Sequence, residues 1–228
     1  MNVSEIFLSI QGEGRTAGVV SVFVRLAGCD LRCAWCDTEY ALDIKPAQSL
    51  TVEEIIDRVE TYHCRQVVVT GGEPLIAPEL PMLLQELKKR DKYITLETNA
   101  TRYHPIVCDL VNISPKLANS TPRQGPYAQF AETHEKNRLN IEAIKSFIIN
   151  YDYQLKFVVE SERDLSEIDA ILKELPGVDR DRVMLMPQAR TKQQYRKRGP
   201  EIARLCVEKG YRYSPRLQIE LWGNRRRK

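Results

Sequence analysis

Apolar residues along this 228-residue chain alternate between two spacings. Short runs that are nearly continuous in apolar residues, or that alternate with period two, predict β-strands. Several runs are apolar at successive positions, as is usual for strands covered on both faces. The predicted strands are Ser21–Ala27, Gln66–Thr70, Tyr93–Thr98, Asp109–Ser114, Gln154–Glu160, Arg182–Met186 and Leu217–Leu221.

The segments between these strands carry apolar residues at helical spacing. Thr51 and Glu54 match a capping box, which predicts where the first helix begins. We expect the apolar stripe of each helix to pack into a core. The stripes are Val52, Ile55, Ile56 and Val59; Leu80, Leu83, Leu84 and Leu87; Ile141, Ile144, Ile148 and Ile149; Leu165, Ile168, Ile171, Leu172 and Leu175; and Ile202, Leu205 and Cys206.

The alternation of strands and helices predicts an α/β fold built from parallel βαβ units. The units are too few for a closed eight-fold barrel, so an open or partial barrel is expected. The length suits a single domain over residues 1–228, and the sequence has no internal repeat. Residues 117–137 are rich in Pro, Gly, Asn and Gln, which predicts a long loop or an insertion.

Charge and hydropathy exclude several classes of partner. The net charge of +3 is nearly balanced, so we expect no nucleic acid partner. The one basic run, Arg225–Lys228, is expected to be a solvated tail. No apolar run approaches the ~20 residues of a membrane span, so we expect no membrane association. The first ten residues, MNVSEIFLSI, lack the features of an export signal, so we expect a cytoplasmic location.

Three cysteines lie close together in the run AGCDLRCAWCDT. Cys29, Cys33 and Cys36 supply three thiolates with the spacing C-x3-C-x2-C. Structural zinc requires four ligands, whereas three thiolates around a four-iron cluster leave one iron free to bind a small molecule. The spacing resembles that of the radical S-adenosylmethionine (SAM) superfamily. The resemblance implies a [4Fe-4S] cluster and the reductive cleavage of SAM.

Other roles for the cysteines are weaker. Six cysteines in 228 residues are far below the density of a disulfide scaffold. A zinc site would need a fourth ligand, and each candidate lies in or beside a predicted regular element, where packing is a common role for cysteine. The candidates are His63, Cys64, Cys108 and Cys206.

A glycine pair follows one predicted strand, in the run Thr70–Pro74 (TGGEP). Ligands of parallel α/β sheets bind beyond the carboxyl ends of strands, and paired glycines let a backbone approach a ligand closely. Alone, this run would indicate a simple turn between strand and helix. Together with the cysteines it resembles the GGE motif of radical SAM enzymes, which implies that Gly72 and Glu73 bind the amino group of SAM.

Arg25 lies inside the apolar strand VFVRLAG, four residues before Cys29. A charge in such a strand is costly unless it meets a partner. Because an arginine fork binds a carboxylate bidentately, a substrate carboxylate is a natural candidate.

The chain further resembles the 7-carboxy-7-deazaguanine synthase family. The matching runs are EIFLSIQGEG, VRLAGCDLRCAWCDT, VVVTGGEP, LETNAT, ISPK and PRLQIELWGN, between residues 5 and 224. The resemblance implies a partial (βα)6 radical SAM barrel, a parallel sheet with helices outside. It implies conversion of 6-carboxy-5,6,7,8-tetrahydropterin to 7-carboxy-7-deazaguanine with release of ammonia, in 7-deazapurine (queuosine precursor) biosynthesis. It also implies Mg2+, a homodimer, and flavodoxin or ferredoxin as the electron donor.

The resemblance assigns roles residue by residue, with no protein acid or base among them. Further pocket residues are expected at Thr98 and Asn99, a later SAM contact near Met186–Ala189, and an approach of Trp222 to the pterin. Surface or core roles are expected for His63, His104 and His134. The assigned residues are Cys29, Cys33 and Cys36 for the cluster; Thr38 for Mg2+; Gly72, Glu73, Ser114, Pro115 and Lys116 for SAM; and Ile10, Gln11, Gly12, Glu13, Arg25 and Thr70 for the substrate.

Two alternative functions remain open from the sequence. A glycyl-radical activase would share the cysteine spacing and a GGEP-like turn, but it would need a protein partner and would give no reason for Arg25. A zinc-binding or nucleic-acid-binding module would use Arg225–Lys228 as its basic tail. That module would leave the TGGEP run and the polar strand ends unexplained.

Overall fold

The computed structural model describes residues 1–175, 177–223 and 225–227. In these residues one sheet contains nine strands in the order β3-β1-β2-β4-β5-β6-β7-β8-β9. The strands are β1 (Asn2–Ile10), β2 (Val20–Leu26), β3 (Gln48–Ser49), β4 (Gln66–Gly71), β5 (Tyr93–Thr98), β6 (Leu110–Ile113), β7 (Tyr153–Val159), β8 (Val183–Pro187) and β9 (Arg212–Tyr213). The helices are α1 (Val52–Glu60), α2 (Leu80–Lys89), α3 (Ala131–Asn137), α4 (Ile141–Asn150), α5 (Leu165–Glu174), α6 (Lys192–Lys209) and α7 (Leu217–Trp222).

The sheet is parallel from β2 to β9, whereas β1 runs antiparallel to both β2 and β3. The sheet is open, with β3 and β9 at its ends. Two hydrogen bonds link the segment after β9 to the turn after β1: the Gly14 N–H donates to Ser214 Oγ at 2.9 Å, and the Leu217 N–H donates to the Gly12 carbonyl at 3.0 Å. The fold is therefore the expected partial barrel, with one antiparallel strand at its edge.

Helices cover the outer face of the sheet and leave the inner face for the cavity described below. The core joins β-strand residues to the apolar faces of α1, α2, α4, α5 and α6. Phe147 on α4 and Phe157 on β7 are fully buried there. The predicted capping box is confirmed, because the Glu54 N–H donates to Thr51 Oγ1 at 3.1 Å and the Thr51 N–H donates to Glu54 Oε2 at 2.7 Å.

Six of the seven predicted strands are confirmed to within one residue at each end, but the prediction at Leu217–Leu221 is wrong. That segment lies in α7, of which Ile219 is the buried residue. Its Leu, Gln and Glu residues favour helix, and a short alternating run does not distinguish the two structures. Gly223, with φ of 67°, follows the helix at a position where glycine is favoured.

Two other expectations need correction. Residues 117–137 are not a structureless loop, because they contain 3-10 turns at Ala118–Ser120 and Ala128–Phe130 and the helix α3. Ile149, assigned to an apolar stripe, is 79% exposed. It lies near the end of α4 between Ile148 and Tyr151, which pack against the core, and its own side chain is on the solvent side. None of the described helices combines the length and the apolar character that crossing a membrane requires.

Phe147 and Ile149, one buried and one exposed residue of α4, provide a matched test of this core. We expect Phe147→Ala to lower the free energy of unfolding by about 3–5 kcal/mol, because it leaves a cavity among packed side chains. Ile149→Ala should change it by less than about 0.5 kcal/mol, because the side chain is already in solvent. Urea denaturation of both variants measures the difference, and equal losses would contradict the position of α4.

Candidate active site

A cavity of about 230 Å³ opens at the carboxyl ends of the strands. It is lined by the turn after β1, the cysteine loop after β2, and the ends of β4 to β8. Most residues assigned from the sequence meet there, although they come from many separate segments. The assigned residues that line the cavity are Ile10, Gln11, Gly12, Glu13, Arg25, Cys29, Cys33, Cys36, Thr38, Thr70, Gly72, Thr98, Asn99, Ser114, Lys116 and Met186.

The three clustered cysteines share this cavity, and all six cysteines of the chain are free thiols. The Leu31 N–H points to Cys29 Sγ at 3.4 Å. Burial raises the pKa of the three thiols, that of Cys33 to about 12. Their thiolate forms therefore require a cationic partner such as iron. No three His, Cys, Asp or Glu side chains in the described ranges are grouped closely enough to hold a single metal ion. Three thiols around a shared cavity fit a four-iron cluster with one open iron.

The glycine pair at the end of β4, Gly71 and Gly72, is required by close packing against the end of β2 and the start of the cysteine loop. A Cβ atom on Gly72 would lie 2.1 Å from the Gly28 carbonyl oxygen and 2.8 Å from Cys29 Cβ. The Gly72 N–H donates to the Leu26 carbonyl at 3.1 Å, and the Glu73 N–H donates to the Gly28 carbonyl at 2.8 Å. The end of β4 thus fixes the start of the loop that carries the thiols.

The Glu73 carboxylate meets β5 rather than the cavity. The residue is 1% exposed, and its Oε1 accepts hydrogen bonds from the Leu75 N–H at 3.0 Å and the Thr98 hydroxyl at 2.8 Å. Its Oε2 accepts from the Asn99 N–H at 2.7 Å. Burial raises the pKa of Glu73 to about 7, and these three donors oppose that shift. The Glu73 oxygens thus join the ends of β4 and β5 and do not line the cavity, and the contact of this carboxylate with SAM stays a prediction.

Arg25 has a partner within the protein. Its Nε donates to Glu5 Oε1 at 3.0 Å, and the Tyr40 hydroxyl donates to the same oxygen at 2.7 Å. Arg226 reaches the other oxygen of Glu5 at 3.3 Å and lies 3.9 Å from the centre of the Tyr40 ring. Arg226 therefore contacts Glu5 and Tyr40 in the folded protein, so the expectation of a solvated tail is wrong at this residue. Asn224 and Lys228 lie outside the described residues.

A buried network of charges that the sequence analysis missed forms one wall of the cavity. Lys156 on β7 lies 2.5 Å from Glu13 Oε2 and 3.7 Å from Glu97 Oε2. Arg216 Nε donates to Glu13 at 3.2 Å, and its other nitrogens reach Asp37 and the Ala189 carbonyl. Burial would raise the pKa of Glu13, but Lys156 and Arg216 outweigh it and lower the pKa to about 2.

Some members of this network carried a signal in the sequence. Lys156 is a charge inside an apolar strand, as Arg25 is, and the same argument would have selected it. Asp37 directly follows the third cysteine. Gln218 lies in the segment that was predicted as a strand, and Arg216 directly precedes that segment. Gln218 also lines the cavity, where its Nε2 donates to Glu13 at 2.7 Å.

The remaining assigned residues are placed as follows. Thr38 Oγ1 lies 3.8 Å from Cys36 Sγ at the cavity wall. Pro115 and Trp222 do not line the cavity. His134 is buried, consistent with the expected core role, and burial lowers its pKa to about 4, with Arg138 adding to the shift.

Residues 23–136 match the family model of the radical SAM superfamily. The chain is 39% identical to 7-carboxy-7-deazaguanine synthase of Halobacterium salinarum, over 97% of this chain and 90% of that protein. It is 39% identical to the enzyme of the same name from Rhodopirellula baltica, over 98% of this chain and 87% of that protein. The chain belongs to the 7-carboxy-7-deazaguanine synthase family. A relative of the same name from Pyrobaculum aerophilum is 35% identical over the whole of this chain.

The fold agrees with this family. The crystal structure of QueE from Escherichia coli superposes with a TM-score of 0.70 and 24% identity, over 93% of this chain and 92% of that one. The matched superfamily model and the relatives of the same name show that the chain is an enzyme of the radical SAM superfamily, whose members use SAM and a [4Fe-4S] cluster. Both alternatives from the sequence, the glycyl-radical activase and the zinc-binding or nucleic-acid-binding module, are wrong.

The buried network of this 7-carboxy-7-deazaguanine synthase family member gives a pH-dependent prediction. We expect Glu13→Gln to lower the free energy of unfolding at neutral pH by about 3–5 kcal/mol, because Lys156 and Arg216 lose their buried partner. The pKa of Glu13 is lowered on folding from 4.5 to about 2. Its stabilisation is therefore present above pH 4.5 and lost as the pH falls toward 2.

Urea denaturation of the wild type and the Glu13→Gln variant at several pH values measures this. The difference between them should shrink in that acidic window. Glu142→Gln is the control, because Glu142 is 82% exposed in its ion pair with Lys145 and should contribute little. A difference that does not change with pH would contradict the role of the Glu13 charge.

Glu73 gives a second prediction, which separates positioning from direct contact with SAM. In Glu73→Gln an amide N–H₂ would face the Asn99 N–H, so one buried hydrogen bond is lost. We expect a loss of about 1–3 kcal/mol in the free energy of unfolding, with a nearly unchanged Kd for SAM in the reconstituted enzyme. Unchanged stability with a tenfold weaker Kd would show instead that the carboxylate binds SAM.

Proposed function

We propose that this enzyme converts 6-carboxy-5,6,7,8-tetrahydropterin to 7-carboxy-7-deazaguanine with release of ammonia, in 7-deazapurine biosynthesis. The observation that carries the proposal is that one cavity contains the three thiols, the Arg25 guanidinium and the charged wall that includes Glu13 and Lys156. The first set suits a radical cofactor and the second suits a small polar substrate with a carboxylate. The names of the full-length relatives support the same reaction.

On the cofactor side, Cys29, Cys33 and Cys36 would hold the [4Fe-4S] cluster. The cluster and SAM, when bound, supply a carbon-centred radical that takes a hydrogen atom from the substrate. Gly72, Ser114 and Lys116 line the cavity beside the thiols and would bind SAM. Glu73 and Pro115, which the sequence also assigns to SAM, stand at the same strand ends without lining the cavity, and Glu73 joins the ends of β4 and β5.

On the substrate side, Arg25 would bind the carboxylate of the pterin. Because its salt bridge to Glu5 uses Nε, the rest of the guanidinium fork can serve a second carboxylate. Glu13 stays ionised between Lys156 and Arg216 and would accept hydrogen bonds from N–H groups of the pterin. Ile10, Gln11, Gly12 and Thr70 complete this wall of the cavity.

Mg2+ would bind at Thr38, which lies between the cysteine loop and the charged wall. A hydroxyl group, substrate oxygens and retained waters suit the oxygen preference of this ion. Asp37, the neighbouring residue, is held by Arg216, so it would fix the position of Thr38.

Further parts of the proposal concern assembly and partners. We propose one radical SAM domain over residues 1–228, a homodimer, and a flavodoxin or ferredoxin as the electron donor. The electron donor and the homodimer follow from the family alone. We also propose a cytoplasmic location, with no membrane association and no nucleic acid partner.

The reaction is tested with protein purified without oxygen and reconstituted with iron and sulfide. We expect incubation with SAM, a reductant, Mg2+ and 6-carboxytetrahydropterin to yield 7-carboxy-7-deazaguanine by mass spectrometry. Cys33→Ala should abolish the product, because it removes a cluster ligand. Cys206→Ala should retain it, because Cys206 lies on α6 and does not line the cavity. Release of 5′-deoxyadenosine without any product would keep the radical chemistry and contradict the pterin substrate.

A further inference from the structure

His134 makes two hydrogen bonds that join α3 to the cysteine loop. The backbone N–H of Arg32, between Cys29 and Cys33, donates to His134 Nδ1 at 3.2 Å. The other ring nitrogen, Nε2, lies 2.9 Å from Ser120 Oγ. Because Nδ1 accepts from a backbone N–H, the ring hydrogen is on Nε2 and donates to Ser120, whose hydroxyl donates to the Leu117 carbonyl at 2.6 Å.

The same segment contacts the cysteine loop at two further points. The Ala34 N–H donates to the Ser120 carbonyl at 2.8 Å. The Trp35 indole N–H donates to the Asn119 carbonyl at 3.1 Å. Asn119 is itself fixed, because its Nδ2 donates to Asp164 Oδ2 at 3.0 Å. Hydrogen bonds therefore hold three residues of the loop between Cys29 and Cys36, namely Arg32, Ala34 and Trp35.

We propose that residues 117–137 are a brace for the cysteine loop, and that His134 is its main positioning residue. The proposal rests on the proposed cluster ligation by Cys29, Cys33 and Cys36. The brace begins one residue after Lys116, a proposed SAM contact. It thus ties the SAM-binding strand end to the loop that carries the cluster ligands.

The cysteine loop needs a brace because a short loop must hold three thiols in one arrangement while each of its backbone N–H groups has a hydrogen-bond acceptor. A buried N–H without an acceptor is costly, and an acceptor on a helix is better fixed than one on a loop. His134 is 2% exposed, so water does not readily replace its contact with Arg32.

The test uses the apoprotein and measures alkylation of each cysteine by iodoacetamide, resolved by peptide mass spectrometry. In His134→Leu the Arg32 N–H loses its acceptor, and we expect Cys29, Cys33 and Cys36 to react about fivefold faster, the scale of one lost hydrogen bond. Cys206 should react at the wild-type rate. His134→Asn restores an acceptor near the Nδ1 position and should return the three rates toward wild type.

Tyr151→Phe is the matched control. It also removes the acceptor of a backbone N–H, because the Ile106 N–H donates to the Tyr151 hydroxyl at 2.9 Å. We expect no change at the three loop cysteines in this variant. Unchanged rates in His134→Leu, an equal rise at Cys206, or no rescue by His134→Asn would overturn the brace. The alkylation measurement needs no cluster, so its result does not depend on the proposed reaction. Failure of the proposed reaction would be seen separately, as reconstituted wild-type enzyme that forms no product.

A second readout uses the reconstituted enzyme. In His134→Leu we expect more 5′-deoxyadenosine per molecule of product and a broadened electron paramagnetic resonance signal of the reduced cluster with SAM. If His134 only stabilised the fold, His134→Leu would lower the amount of enzyme that holds a cluster. The ratio of 5′-deoxyadenosine to product and the shape of the resonance signal would then stay unchanged, and that result would also overturn the proposal.

Discussion

The site depends on the ion pairs of one buried arginine. Arg216 contacts Glu13 across 203 positions of sequence and Asp37 across 179. Buried charges are tolerated when each has a partner, so these groups are stable in the interior only when the turn after β1, the cysteine loop and the start of α7 have come together. These ion pairs join the segment after β9 to the turn after β1, as the hydrogen bonds of Gly14 and Leu217 also do, and they thereby assemble the wall of the cavity.

Other contacts of the site fix the strand ends and the cysteine loop in place. The glycines after β4 allow the cysteine loop to begin in direct contact with the strand, and Glu73 joins the ends of β4 and β5. The segment around His134 holds the loop from its other side. Radical chemistry requires that the protein hold a substrate carbon close to a reactive carbon. Such placement depends on residues that are themselves held rigidly by contacts of this kind.

Local patterns were enough to predict much of this arrangement. The cysteine spacing, the apolar strands and the glycine pair are short-range signals, and parallel strands bring their ends together by topology. The network around Arg216 was missed because its partners meet only in the folded chain. Lys156 could have been found as a charge within an apolar strand. Gln218 could not, because its alternating segment read as a strand. His134 lies in a polar segment without apolar periodicity, which concealed both α3 and its contact with the cysteine loop.

The central claim is that the thiols and the charged wall serve one reaction in one cavity. The most direct measurement follows deuterium from C6 of 6-carboxytetrahydropterin during turnover of the reconstituted enzyme. We predict that deuterium enters the 5′ position of SAM recovered after product forms, because in the proposed reaction the radical takes the hydrogen at C6 of the substrate and SAM is regenerated. Product formed without deuterium in the recovered SAM would contradict it.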